Sequence, residues 1–321
     1  MSLIVTDERD SVLDAALRLF KGSIVAFPTE TVYGLGANAS NEKAVNRVYT
    51  LKNRPKSHPL IVHVGEKAQI TYWAEKIPDY AFSLINDLWP GPLTLILNKS
   101  QNAGDFITGG NDTIALRMPD HPISQKLLMH FHSLGGNGIV GPSANKFGRV
   151  SPTTALAVMT EIGDRLSIND LILDGGQCQI GIESTILNCT GNFPIILRPG
   201  AITFEMLTNK LDGHIEIQAS QISTKALQFP GSFKSHYKPE AKIILNKKPA
   251  PGTGFLALSK FKTPEGVIRL AAPNDEFEYA KILYHALRQG DKENLDTIYV
   301  FEPEEKGIGI AICDRLRKAA N

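Results

Sequence analysis

The run Lys52-Asn-Arg54-Pro-Lys56-Ser-His58-Pro sets two cations two residues apart, directly before a proline. Arginine offers a planar fork for two phosphate oxygens and lysine a point charge, so the pair could clamp a phosphate chain. Pro55 would stiffen the loop that presents them. The same cations also suit the C-terminal end of a helix, where the dipole favours positive charge. On spacing alone a solvated helix end is the commoner reading. A second run, Gly141-Pro-Ser143-Ala-Asn145-Lys-Phe147-Gly148-Arg-Val-Ser151-Pro, follows a short apolar strand. Small residues with free amides and hydroxyls at a strand's end allow close approach to phosphates, although an ordinary turn has the same composition. It lacks the Gly-Lys-Ser/Thr end of a P-loop. Thr29, Glu30, Thr31 and Tyr33 form a third polar cluster after a strand. Arg117, Ser184 and Arg198 each lie in or beside an apolar strand, where a charge needs a partner or a ligand. His58 and His63 have no further ligand spaced to build a metal site, so hydrogen bonding is their expected role.

The elements that must hold these residues are legible from periodicity. Helices are expected over 7–21, from an Asn41 cap through Leu51, over 122–131, 152–162 and 203–211. Strands are expected at 24–27, 59–64, 93–97, 113–118, 138–140, 171–173, 184–188 and 194–197, with Pro28 to Gly36 as a loop. Strands and helices mix without strict alternation, which predicts a twisted, open, mixed α/β sheet with flanking helices. The apolar pattern fades over 212–241, and Pro230, Gly231 and Pro239 punctuate it. The expected organisation is therefore a domain over 1–211, a linker over 212–241 and a small Rossmann-like α/β domain over 242–321, with strands at 242–245, 254–258, 267–270 and 298–301 and helices at 274–288 and from 307 onward.

Composition bounds the function. The chain has 321 residues, 42% hydrophobic and 21% charged, with net charge +1. That balance suits a globular core and argues against a protein whose main task is gripping a nucleic-acid backbone. Three cysteines without a Cys-x-x-Cys pair predict no disulfide framework and a reducing, cytoplasmic setting. The first ten residues show no secretory signal, and no apolar run approaches bilayer length.

Taken in order, several motifs resemble one family. They are Pro28-Thr-Glu-Thr-Val-Tyr-Gly-Leu-Gly36, Lys52-x-Arg54-Pro, Pro59-Leu-Ile-Val-His63-Val, Trp89-Pro-Gly-Pro-Leu-Thr94, Arg117-Met-Pro, Pro142-Ser143-Ala-Asn145, Ser184-Thr185 and Arg198-Pro-Gly200. Together they resemble the YrdC-like threonylcarbamoyl-AMP synthases over residues 10 to 210, and His236-Tyr237-x-Pro239 before a small α/β domain resembles the long, two-domain branch. The resemblance implies a concave pocket taking L-threonine, bicarbonate or carbon dioxide, and ATP with Mg²⁺ held mainly by the ATP phosphates. The product would feed a downstream tRNA threonylcarbamoyl-transferase machinery; direct tRNA binding stays open. By residue, it implies catalytic roles for Lys52, Arg54, Ser143 and Asn145. It implies ATP contacts from Arg54, His58, Thr113, Ser143, Ser151, Arg198 and Tyr237, the last closing over the nucleotide from a linker lid. It implies threonine contacts from Thr31, His63, Arg117, Gly141 and Ser184. Phe147, Asn188 and Ser235 depart from the residues frequent in the family at those points. Competing readings are an RNA-binding or ribosome-associated paralogue without synthase activity, and a carbamoyl-adenylate enzyme of hydrogenase maturation, which would bring zinc-binding cysteines.

Overall fold

The computed structural model describes residues 4–5, 9–211, 216–217, 229, 231 and 236–321. Strands β1 (Ile4–Val5), β2 (Val25–Phe27), β3 (Gly34–Asn38), β4 (Ile61–His63), β5 (Leu93–Asn98), β6 (Thr113–Arg117), β7 (Ile139–Val140), β8 (Leu171–Leu173), β9 (Thr185–Asn188), β10 (Ile195–Arg198) and β11 (Glu216–Ile217) share one sheet in the order 1-8-2-3-7-4-6-5-9-10-11. Parallel and antiparallel pairs both occur along it, which makes the sheet mixed. The flanking helices are α1 (Arg9–Phe20), α2 (Glu42–Lys52), α3 (Ile70–Trp73), α4 (Asp79–Leu88), α5 (Asp105–Thr108), α6 (Pro122–Ser133), α7 (Ala155–Ile162) and α8 (Phe204–Lys210).

Period-two alternation sends each strand's side chains to two different layers. Val25 and Phe27 pack with Val12, Leu19, Leu127 and Phe131 of α1 and α6, whereas Ile24 and Ala26 join the larger core under α2, α4 and α7. Farther along the sheet the α1/α6 layer ends. There Ile61, Ala115, Ile96 and Ile186 form a small apolar floor of their own. His63 continues the face of Ile61, and Arg117 continues the face of Ala115. The register pairs His63 with Arg117. Among the described residues, one stretch of sheet face thus has no helix over it, and a histidine and an arginine line it.

The loop expected from Pro28 to Gly36 is half strand. Gly34 and Gly36 pair with Phe27 and Val25 in β3. A Cβ on Gly36 would sit 2.7 Å from the Val25 carbonyl oxygen, so only glycine lets the backbones approach. Glycine's poor strand signal hid the element. Other boundaries moved by a few residues: α7 starts at Ala155 because Thr154 caps it, accepting from the Ala157 amide at 3.2 Å. Asn41 caps α2 as expected, accepting from the Ala44 amide at 3.2 Å. Asn41→Ala is expected to cost about 1 kcal/mol in a denaturant melt, the usual value of such a cap.

The second unit is a four-stranded sheet of β12 (Lys242–Leu245), β13 (Gly254–Leu256), β14 (Ile268–Ala271) and β15 (Thr297–Val300), in the order 12-15-13-14, every pair parallel. Helices α9 (Glu276–Lys292, capped by Asp275) and α10 (Ile308–Ala320) complete it. Its core also takes in Val32, Val150 and Ile182 from the first unit, so the two units share apolar packing. Of the linker expected at 212–241, the described residues are 216–217, 229, 231 and 236–241; the rest, including Ser235 and most of the lid reading, lies outside the described residues.

Candidate active site

A cavity with about 630 Å³ of empty volume opens on the uncovered stretch of the first sheet. It collects four cationic side chains, Lys52, Arg54, Arg117 and Arg198, from three separate stretches of chain. The expected residues Thr31, His63, Gly141, Ser143, Asn145, Ser184 and Tyr237 line it with them.

Lys52 ends α2, yet it is 1% exposed. The solvated helix end is therefore wrong for this residue. Its Nζ donates to the carbonyl oxygens of Ser143 and Asn145 at 2.5 Å each, tying the first cationic run to the second polar run. Burial, and then the neighbouring Arg54, hold the amine well below the ordinary lysine pKa; Glu161 opposes them weakly. The turn after α2 is left-handed at Asn53, with φ 52°. It brings Arg54 back along the loop, where Nη2 donates to the Pro59 carbonyl at 2.9 Å. Burial lowers the Arg54 pKa to about 10, so it stays a cation at neutral pH. Its guanidinium lies 5.7 Å from the centre of the Phe147 ring. Phe147, which departs from the family pattern, is thus a wall of the pocket, packed also near His58 and His236.

Arg117 is 4% exposed, and its fork lies among three neighbours. Nε donates to the Gly91 carbonyl at 3.3 Å, Nη1 to Thr31 Oγ1 at 2.9 Å, and Nη2 pairs with Glu30 at 2.7 Å. The internal partner expected for a buried strand arginine is Glu30. Beside it, His63 is fully desolvated, and burial followed by the Arg117 charge lowers its pKa to about 3. His63 is therefore a neutral imidazole at pH 7, able to donate or accept. The ring stands edge-on to Phe27 with centroids 5.6 Å apart. A Cβ on Gly141 would lie 2.8 Å from that ring. Gly141→Ala is accordingly expected to displace the His63 ring, as read from the shift of its imidazole proton resonances in the folded variant.

Arg198 Nε and Nη2 donate to the Ser184 carbonyl and Ser184 Oγ at 3.0 Å each, and Ser184 Oγ also meets Thr94 Oγ1 at 2.8 Å. Tyr237 is 1% exposed and left-handed at φ 62°, and the His236 ring packs edge-on against it at 4.0 Å. Five buried polar atoms of the lining, His63 Nδ1, Arg117 Nη2, Asn145 Oδ1, His236 Nδ1 and Tyr237 Oη, have no hydrogen-bond partner among the described residues, although Arg117 Nη2 meets Glu30 as an ion pair. Buried polar atoms in native proteins are normally paired, so these suit a ligand.

Three expected residues do not line the cavity. Ser151 lies one step behind it and donates to Glu183 Oε1 at 2.6 Å. Thr113 opens β6, two residues ahead of Ala115 and on the same strand face as Arg117. His58 packs against Phe147 with centroids 5.3 Å apart, and burial lowers its pKa to about 4. The sequence reading also missed Glu183, His236 and Gly231 in the lining. Glu183 stands directly before the Ser184-Thr185 motif, and a carboxylate there was the available signal.

Residues 18–200 match the Sua5/YciO/YrdC family model, described as telomere recombination, and residues 202–321 match the model described as threonylcarbamoyl-AMP synthase, C-terminal domain. The chain is 40% identical to a threonylcarbamoyl-AMP synthase of Pyrococcus abyssi, over 94% of this chain and 91% of the relative. It is 36% identical to one of Bacillus subtilis, over 98% and 96%. The crystal structure of P. abyssi Sua5 complexed with L-threonine superposes with a TM-score of 0.89 at 36% identity, covering 99% of this chain and 98% of that one. The chain belongs to the Sua5/YciO/YrdC family, in the two-domain branch that carries the threonylcarbamoyl-AMP synthase C-terminal domain.

Proposed function

We propose that this chain is a nucleotidyltransferase that joins L-threonine, bicarbonate or carbon dioxide, and ATP into threonylcarbamoyl-adenylate with release of pyrophosphate, as a step of tRNA modification. The observation that carries the reading is the convergence of Lys52, Arg54, Arg117 and Arg198 on one cavity of mixed polar and apolar lining. Two anions must meet there, a carbamate and the ATP phosphates. Preorganised cations in a water-poor site offset their repulsion without reorganising at the moment of reaction.

In the proposed reaction the threonine amine adds to carbon dioxide and releases a proton, giving a carbamate. A carbamate oxygen then forms a bond to the α-phosphorus of ATP as the bond to pyrophosphate breaks. No covalent bond to the protein is needed. Arg117 takes the threonine carboxylate, and Thr31 and the neutral His63 take its hydroxyl, which would reject analogues lacking one. Gly141 admits the amino acid backbone and Ser184 borders it. Lys52, Arg54, Ser143 and Asn145 meet the phosphates, with Arg198, His58, Thr113, Ser151 and Tyr237 around the nucleotide. Magnesium enters with ATP as part of the substrate. The carboxylates closest to the site, Glu30 and Glu183, are engaged by Arg117 and Arg315, which leaves the phosphate oxygens as its main donors. Among the described residues no helix is long and apolar enough to cross a membrane; a cytoplasmic setting and hand-over to a tRNA-modifying partner complete the proposal.

The test is pyrophosphate release by purified protein with MgATP and bicarbonate, with and without L-threonine, using serine and valine as controls. Release that needs both threonine and bicarbonate supports the reaction. A folded protein that binds ATP and shows no threonine-dependent release rejects it.

A further inference from the structure

The two halves of the cavity have different supports. On the strand side, Arg117 donates to Thr31 and pairs with Glu30, contacts made within the first unit. On the side assigned above to ATP, the supports come from α9 and α10 of the second unit. Glu183 lines the cavity there and accepts from Ser151 Oγ at 2.6 Å, Tyr284 Oη at 2.9 Å and Arg315 Nε at 2.9 Å. Arg315, whose side chain is 0% exposed, also donates from Nη2 to the Pro199 carbonyl at 3.0 Å, one residue after Arg198. Its guanidinium lies 5.3 Å from the centre of the Tyr237 ring, which stacks on Tyr284 with centroids 5.8 Å apart. Burial opposes the Glu183 charge, but Arg315 and Arg198 outweigh it and hold the carboxylate at about 2.

We propose that the buried Arg315–Glu183 pair is a positioning device through which the C-terminal domain sets Ser151, Arg198 and Tyr237 for the nucleotide. A buried ion pair is weak evidence for added stability, because desolvation consumes most of the Coulombic gain. Nor are the charges needed to hold the units together, since Val32, Val150 and Ile182 already share an apolar core with α9 and α10. What the pair supplies is direction. Arg315 can satisfy Glu183, the Pro199 carbonyl and the Tyr237 ring only when all three stand in one arrangement. Among the described residues no hydrogen bond or ion pair ties Arg117, Thr31 or Glu30 to the second unit. This assignment rests on the reading of the cavity as a joint ATP and threonine site.

The experiment is calorimetric titration of full-length protein with a magnesium-loaded, non-hydrolysable ATP analogue and, separately, with L-threonine. Arg315→Met and Glu183→Gln are each expected to weaken the ATP analogue by about 30-fold and to leave threonine affinity within about threefold of wild type. Arg315→Lys, which keeps the charge but not the fork, is expected to recover only part of the loss. Unchanged analogue affinity in folded variants, or equal loss of both ligands, would overturn the proposal. If Arg315→Met does not fold, Tyr284→Phe removes one hydrogen bond to Glu183 at little structural cost. It is expected to weaken the analogue about threefold with threonine unchanged, and no change or an equal loss there overturns the proposal too. The synthase reading fails separately, through wild-type protein that binds both ligands but releases no pyrophosphate.

Discussion

Lys52→Met is expected to lower threonine- and bicarbonate-dependent pyrophosphate release by about 10²–10³-fold, the usual loss for one preorganised charge at a phosphoryl centre. Folding stability is expected to change little. Methionine keeps most of the unbranched stem volume, so the cavity left is small. Two hydrogen bonds to the carbonyls of Ser143 and Asn145 are lost, worth about 1 kcal/mol each. Against that loss, the variant no longer buries an amine whose charged form is disfavoured by desolvation. The pKa direction supplies an independent check. Lys52 in the folded protein sits well below the ordinary lysine value, so the native state binds fewer protons than the unfolded chain between those two values. Wild-type stability should therefore gain a contribution as pH rises through that window. The gain should be missing in Lys52→Met when denaturant melts at neutral and alkaline pH are compared. Near-normal turnover in the variant would remove Lys52 from the reaction. The charge that hinders folding is the one ATP needs, because the phosphates replace the solvation that burial takes away.

Much of this architecture was legible because it rests on local signals. Leu171–Leu173 and Lys242–Leu245 are short apolar runs bounded by turns, and they are strands at the expected positions. Asn41 and Thr203 cap the helices they precede. What was not legible depends on long-range contact. No window around Lys52 shows that its amine is met by carbonyls more than ninety residues away. A cation at a helix end looks solvated until the loop after β7, which carries Ser143, is placed beside it. The same applies to Glu30 and Arg117, which lie on separate stretches of chain, and to Glu183 and Arg315, which lie in separate units. Gly34 and Gly36 were misread for the opposite reason. Their local signal is strong and means loop, whereas the tertiary demand is a close backbone approach within a sheet.

Arg117→Met should have the largest effect on stability, and the size follows from what it leaves behind. Arg117 and Glu30 form a buried pair, with side chains 5% and 4% exposed. Removing the arginine strands the carboxylate in a low-dielectric site, and breaking such a pair from one side costs about 3–5 kcal/mol. Threonine binding should fall as well, by about 10²-fold, because a charge-assisted contact to the amino acid carboxylate is lost. A single variant cannot separate these effects, since a destabilised site binds poorly whatever the arginine does. The double variant Arg117→Met with Glu30→Gln can. It removes the stranded charge and leaves a neutral amide in its place, so a denaturant melt should show most of the lost stability restored. Threonine affinity should stay low, because the carboxylate of the ligand still has no guanidinium to meet. Recovery of both would mean that the threonine carboxylate is held elsewhere in the cavity. Recovery of stability alone would assign Arg117 two separable tasks: it neutralises Glu30 inside the fold, and it keeps one face of its fork for the substrate.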